Sequence, residues 1–216
     1  MVCYWKIKLN NMIEIYEHTI EETLINKNGY ILDIGCLGFQ FTKEMKKYCN
    51  NIIGIDPNPN IKNIPNDIIF YNKALVNNNS DYINYHTYND KSGNSLLKPD
   101  KDWCKYINTI KVKCIMKEHN IDQFELIKID IEGGEYEFLN KIDWTISKQY
   151  TIEFHDFRNM NPYYPNNESY YDKLFSKMEK YCDIIKHKKT SHPGFPKGKG
   201  DNYWDSLFFL KKEFYK

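Results

Sequence analysis

A chain of 216 residues is long enough to bury a substantial core as one domain spanning 1–216. Its 30 basic and 29 acidic side chains leave a net charge of +1, which excludes a global field drawing it to nucleic acid or to an anionic membrane. The 6 cysteines (Cys3, Cys36, Cys49, Cys104, Cys114 and Cys182) form no CxxC pair, which argues against a disulfide framework or zinc site and for reduced thiols in a cytoplasmic setting.

The opening "MVCYWKIKLN" lacks the apolar core of a signal peptide, and no stretch reads as a membrane span. Ile13, Tyr16, Ile20 and Leu24 recur at helical spacing and predict a helix over about 11–26, with Gly29 as its C-cap. "YILDIG" (30–35) predicts a short buried strand, followed by a helix near 40–49. "NIIGID" (51–56), broken by Pro57, and "DIIFYN" (67–72) predict two further strands. "DYINYHTYN" (81–89) alternates strictly and predicts an extra, half-exposed strand. "TIKVKC" (109–114) predicts another, leading into a short helix and then the strand "FELIKID" (124–130). "KQYTIEFHD" (148–156) is a predicted strand, a helix is expected near 168–181, and "CDIIKHKK" with "YWDSLFFLKK" predicts a closing antiparallel pair. Strands alternating with helices imply a mainly parallel sheet covered on both faces. The segments 186–200 and 190–204, rich in Lys, Gly and Pro, predict a solvated loop able to fold over a ligand.

In such sheets ligands sit beyond the carboxyl ends of the strands, where the strand order reverses. Gly35 and Gly38, after the first of these strands, allow close backbone approach, and Cys36 adds apolar contact. Asp33 is the informative residue. A dinucleotide pyrophosphate prefers neutral glycines and a helix N-terminus, whereas a carboxylate suits a cation such as the ammonium of an amino acid. Asp56, followed by Pro57 and Asn58, ends the next strand at about the interval where an acidic residue chelates ribose hydroxyls. Turn chemistry accounts for either feature alone. Together they describe a nucleoside with an amino-acid tail, S-adenosylmethionine.

"YILDIGCLGFQFT", "IIGIDPNPN", "YNKALVNNNSDYINYHTYNDKSGNSL" and "LIKIDIEGGEYEFLNKI…YTIEFHD" resemble the successive blocks of the FkbM-type methyltransferases over about residues 30–156. The resemblance implies an α/β fold of class I methyltransferase (Rossmann-like) type. Its sheet would be doubly wound, mostly parallel and seven-stranded, with an antiparallel C-terminal strand and the extra strand near 81–89. It further implies a cofactor-binding half over about 30–130, a substrate-side half over 131–216, S-adenosylmethionine as methyl donor, and a hydroxyl of a sugar, glycan or small metabolite as acceptor. Ser95, in "SGNSL", falls on the cofactor side by the same resemblance. One departure stands out: the family's glycine loop spaces its glycines one residue further apart than Gly35 and Gly38.

In that fold the tip of the strand ending at Asp130 faces the methyl group. Methyl transfer is an in-line displacement on a sulfonium carbon, which needs an aligned acceptor oxygen and, for a weakly acidic hydroxyl, a proton acceptor. Asp130, Glu132 and His155 are the candidate catalytic residues, and the same three are candidate ligands of a divalent metal. Arg158, the sole arginine, could clamp an anionic acceptor, and Trp204 could stack on a ring. Lys128 and Glu135 read as structural charges, Glu135 at a helix N-terminus. Three other readings compete: a non-catalytic cofactor-binding or scaffold module, favoured by the short glycine loop; a nicotinamide-dependent oxidoreductase, disfavoured by Asp33; and a nucleic-acid methylase, which lacks the (Asp/Asn)-Pro-Pro-(Tyr/Phe) tetrapeptide.

Overall fold

The computed structural model describes residues 11–16, 18–76, 82–86, 104–131, 134–155, 174, 176–191 and 202–216. A seven-stranded sheet forms its centre. Five strands run parallel: β3 (Tyr30–Ile34), β4 (Asn51–Ile55), β5 (Ile69–Tyr71), β9 (Leu126–Ile129) and β10 (Gln149–His155). β12 (Asn202–Leu210) pairs antiparallel with β10, and β11 (Cys182–Ser191) antiparallel with β12. The spatial order is β11-β12-β10-β9-β3-β4-β5, so the chain winds outward in both directions from the junction of β3 and β9. This is the expected doubly wound, mostly parallel α/β sheet, and its switch point lies between the tips of β3 and β9.

Both faces are buried, which is why β3, β4 and β9 read as near-continuous apolar runs. Leu32, Ile34, Ile53, Ile55, Ile127, Ile129, Tyr150, Ile152 and Phe154 pack into the larger core with Phe138 and Leu139 of helix α3 (Glu135–Lys141). Ile31, Ile52 and Leu126 face the other way, against Phe41 and Met45 of helix α1 (Gln40–Met45). At ~1.5–3 kcal/mol per fully buried aliphatic side chain, these two layers supply the main drive for folding.

The predicted N-terminal helix is absent. Strands β1 (Met12–Ile15) and β2 (His18–Glu21) pair antiparallel as a hairpin, with Ile13 opposite Ile20, and a 3-10 turn covers Glu22–Leu24. Tyr16 takes a positive φ of 44° at the turn. Spacing at 13, 16, 20 and 24 suits a helix, yet Ile13, Ile15, Thr19 and Ile20 are β-branched, and tertiary contacts decide. Ile15 and Ile20 bury on the α1 side of the sheet, and the Gln149 side chain clamps the hairpin's main chain. Gly29 is therefore no helix cap.

Three smaller differences follow the same logic. The strand expected at 109–114 is β8 (Cys104–Ile110), and helix α2 (Val112–Glu118) already begins at Val112. β8 pairs with β6 (Ala74–Leu75) and with β7 (Tyr82–His86), the predicted extra strand, in a separate three-stranded sheet. Residues 186–189 and 203–204 are strand, as the predicted closing pair has them, and of the predicted loop Thr190, Ser191 and Asn202 also belong to β11 and β12. Of the helix expected near 168–181, residues 174 and 176–178 are helical among the described ones. No helix is long and apolar enough to cross a membrane among the described residues, and Cys36, Cys49, Cys114 and Cys182 are free thiols.

Candidate active site

The register across the parallel strands sets the site. Thr151 pairs with Lys128, Lys128 with Asp33, and Asp33 with Gly54, forming one row on the face covered by α1 and the hairpin. Side chains alternate faces along a strand, so two residues further on the same face presents Glu153, Asp130, Gly35 and Asp56. The backbone ladder continues into that row, with Asp130 N–H donating to Ile34 O at 3.1 Å and Gly35 N–H to Ile55 O at 2.9 Å. Asp56, Asp130 and Glu153 therefore share one face at the end of the sheet where ligands bind in such folds, while Asp33 sits one step deeper within the sheet.

Lys128 organises it. Its side chain is almost fully buried, and its Nζ donates to Gly35 O at 2.7 Å while pairing with Asp33 Oδ1 at 3.2 Å and Asp130 Oδ2 at 3.4 Å. Burial alone would lower the lysine pKa, but the Asp33 and Asp130 carboxylates outweigh it and hold the ammonium above its ordinary value. Asp33, 0% exposed, also accepts from Thr42 Oγ1 at 2.6 Å. The sequence pattern predicts that Asp33 faces a cationic ligand and that Lys128 pairs with a neighbour. In the fold Asp33 is that neighbour, and its carboxylate is held from within by Lys128 and Thr42.

The glycine loop is shaped by this contact. Gly35 has φ of +79°, and a Cβ there would lie 1.7 Å from Asp130 O, so only glycine fits between the two strand tips. Gly38 follows with φ of +77°, and Phe39 at φ 59° leads into α1. Cys36 is buried, and burial together with the charges of Asp33 and Asp56 pushes its thiol well above its ordinary pKa, so it stays neutral and contributes packing.

Asp56 caps its own turn. Its Oδ1 accepts from Asn58 N–H at 2.8 Å, Asn58 Oδ1 accepts from Asn60 N–H at 2.9 Å, and Asn72 Nδ2 donates to the carbonyls of both Asp56 and Asn58 at 2.8 Å. Turn chemistry and a site position thus coexist here, with Pro57 part-buried between the two. Burial raises the Asp56 carboxyl to about 6, helped by Asp33 and Asp130 and opposed by the Asn58 hydrogen bond and Lys128. Glu135, fully buried at the start of α3, accepts from Ile131 N–H at 3.1 Å and so braces the turn after Asp130, the structural role expected of it.

His18 was invisible to the sequence reading. Gln149, Thr151 and Glu153 form a polar stripe on one face of β10, alternating with the apolar Tyr150, Ile152 and Phe154. Gln149 exchanges two hydrogen bonds with the Glu21 main chain, at 3.0 and 3.1 Å, and Thr151 Oγ1 lies 3.3 Å from His18 Nδ1. The hairpin thereby delivers His18, 3% exposed, to the acidic tips, and His18, Asp130 and Glu153 each place one ligand atom within 4.8 Å of the others. The one available signal was the stripe itself: three alternate polar residues in an otherwise buried strand need a polar partner.

Glu132, Ser95 and Arg158 lie outside the described residues. His155 is placed only by its backbone, at the C-terminal end of β10 opposite Tyr203. Trp204 sits in β12, within the predicted strand "YWDSLFFLKK", opposite Phe154 on one side and Lys189 on the other.

The family model for the methyltransferase FkbM domain matches residues 34–185. The chain belongs to that family. It carries an S-adenosylmethionine-dependent methyltransferase domain, with the match running from the end of β3 into β11. Among solved structures it is similar to a dimethyladenosine transferase from Plasmodium falciparum, at 12% identity and TM-score 0.46, covering 88% of this chain and 58% of that one. The chain thus spans somewhat over half of that relative's length. It is also similar to the N-methyltransferase NodS from Bradyrhizobium japonicum, at 10% identity and TM-score 0.41 over 85% and 86% of the two chains. A third likeness is to M. jannaschii TYW2 in complex with AdoMet, at 12% identity and TM-score 0.41 over 93% and 86%. No curated protein matches the sequence significantly.

Proposed function

We propose that this FkbM-family domain transfers the methyl group of S-adenosylmethionine to a hydroxyl of a sugar, glycan or small metabolite. The observation that carries the reading is the cleft at the switch point, where Asp56, Asp130 and Glu153 share one row while Lys128 is committed to Asp33, Asp130 and the Gly35 carbonyl. The acidic excess suits a sulfonium donor. In this reading the backbone of Gly35–Gly38 and the Cys36 side chain line the methionine part, Asp56 takes the ribose hydroxyls, and Pro57, Asn58 and Ser95 flank the nucleoside. Asp33 acts by holding Lys128 and thereby the loop. Asp130, with Glu132 and His155, orients the acceptor hydroxyl or takes its proton, and Arg158 and Trp204 contribute to acceptor selection.

Isothermal titration with S-adenosylmethionine tests the first half. Saturable binding is expected, weakened at least tenfold by Asp56→Ala, the loss of a charged hydrogen-bond acceptor being worth ~1.5–3 kcal/mol. No binding, or binding unchanged in the variant, overturns the placement of the donor. Mass spectrometry of a hydroxyl-bearing acceptor library tests the second half: a gain of one methyl on oxygen supports it, and methylation confined to nitrogen overturns it.

A further inference from the structure

We propose that His18, Asp130 and Glu153 form a binding site for one divalent cation on the acceptor side of the cleft. The three come from separate elements: the N-terminal hairpin, the tip of β9, and β10. One ligand atom from each lies within 4.8 Å of the other two. Ligand atoms bound at ~2.0–2.2 Å from a shared metal sit roughly 3–4 Å apart, so a modest closing of side chains completes the set. One imidazole with two carboxylates is a borderline-to-hard donor set, suited to Mn2+ or Zn2+ rather than to the all-oxygen shells of Ca2+ and Mg2+.

Two further observations point to a cation. The first is charge. Lys128 pairs with Asp33 and Asp130 and is tied at 2.7 Å to the Gly35 carbonyl, and a carboxylate oxygen of Asp130 lies within 4.8 Å of one of Glu153. Two carboxylates held that close repel each other, and a shared cation relieves the repulsion. The second is support behind the ligands. Thr151 Oγ1 stands 3.3 Å from His18 Nδ1, the outer contact that orients a ligating imidazole. Gln149 fastens the main chain of the strand carrying His18. His18 and Thr151 are buried whereas Asp130 and Glu153 are part-exposed, so the set opens toward the cleft.

The role of this cation in catalysis rests on the methyl-transfer reading above, although its binding does not. An acceptor hydroxyl that coordinates the cation becomes more acidic. Its proton passes to solvent and its oxygen lone pair forms the new C–O bond. The C–S bonding pair stays on sulfur, leaving S-adenosylhomocysteine. Asp130 then serves as a ligand rather than as the base.

Titration of the full chain with Mn2+, following the free ion by electron paramagnetic resonance, tests the site. Wild type is expected to bind one Mn2+ per chain, and Glu153→Gln and His18→Gln each to weaken binding at least tenfold while melting cooperatively. Glu153→Gln nearly preserves side-chain shape, so it remains informative if the His18 variant fails to fold. Asp56→Ala is expected to keep Mn2+ while losing S-adenosylmethionine. A wild type that binds Mn2+ without S-adenosylmethionine would sink the donor reading alone. Absence of saturable Mn2+ binding, or equal affinity in wild type and Glu153→Gln, overturns the proposed site.

Discussion

Replacing Lys128 by methionine probes the element that holds the cleft together. The substitution keeps an unbranched apolar stem but removes the ammonium paired with Asp33 at 3.2 Å and Asp130 at 3.4 Å and bonded to Gly35 O at 2.7 Å. Asp33, 0% exposed, would keep the Thr42 hydroxyl but lose its cation. Breaking a buried pair from one side costs about 3–5 kcal/mol, because an uncompensated charge remains. At ~2–4 °C per kcal/mol for a domain of this size, melting should fall by roughly 6–20 °C. Urea denaturation of Lys128→Met, Asp33→Asn and the double variant forms a complete cycle. The double variant should be more stable than Lys128→Met, since a neutral amide in place of the Asp33 carboxylate leaves no charge to strand. A Lys128→Met loss below ~1 kcal/mol, or a double variant no better than the single, would refute the idea that this lysine neutralises the interior.

Two further outcomes follow from the geometry. Folded Asp56 holds its proton to about pH 6, against 3.8 for the unperturbed group. The folded state therefore binds more protons across that window, and the Asp56 contribution makes stability fall as pH rises from 3.8 to about 6. In the proposed ribose role Asp56 acts as the ionised carboxylate, so S-adenosylmethionine affinity should rise over the same range. Asp56→Asn should flatten both profiles, as read by urea titration and calorimetry at pH 4.5 and 7.5, and a profile unchanged in Asp56→Asn would count against the assignment. Gln149→Ala removes both bonds to the Glu21 main chain, at 3.0 and 3.1 Å. A loss of ~1–3 kcal/mol is expected, together with faster amide exchange across residues 12–21 by mass spectrometry. Unchanged exchange there would show that apolar burial alone docks the hairpin.

Much of this molecule was legible in its residues because local pattern and tertiary outcome coincide. β3, β4 and β9 are apolar runs ended by Gly35, Asp56 and Asp130, and a strand buried on both faces has little alternative. The alternation of strands with helices predicted the parallel sheet. The helix expected over 11–26 failed for a reason of the same kind. Its period came from four residues, while the energy came from Ile15 and Ile20 burying against a sheet surface built in part more than a hundred residues later in the chain.

The sequence by itself determined the class of fold, the switch point and the carboxylates that border it, because each depends on residues within one strand and its turn. The tertiary structure alone decided their partners. Asp33 read as a ligand for a cation, but parallel register places Lys128 beside it, and a lysine on a neighbouring strand neutralises it first. His18 carries no motif, and it reaches Asp130 and Glu153 only because the polar stripe of β10 captures the hairpin. Charges buried together must find one another across the sheet, and that matching is a property of register, which no short segment contains.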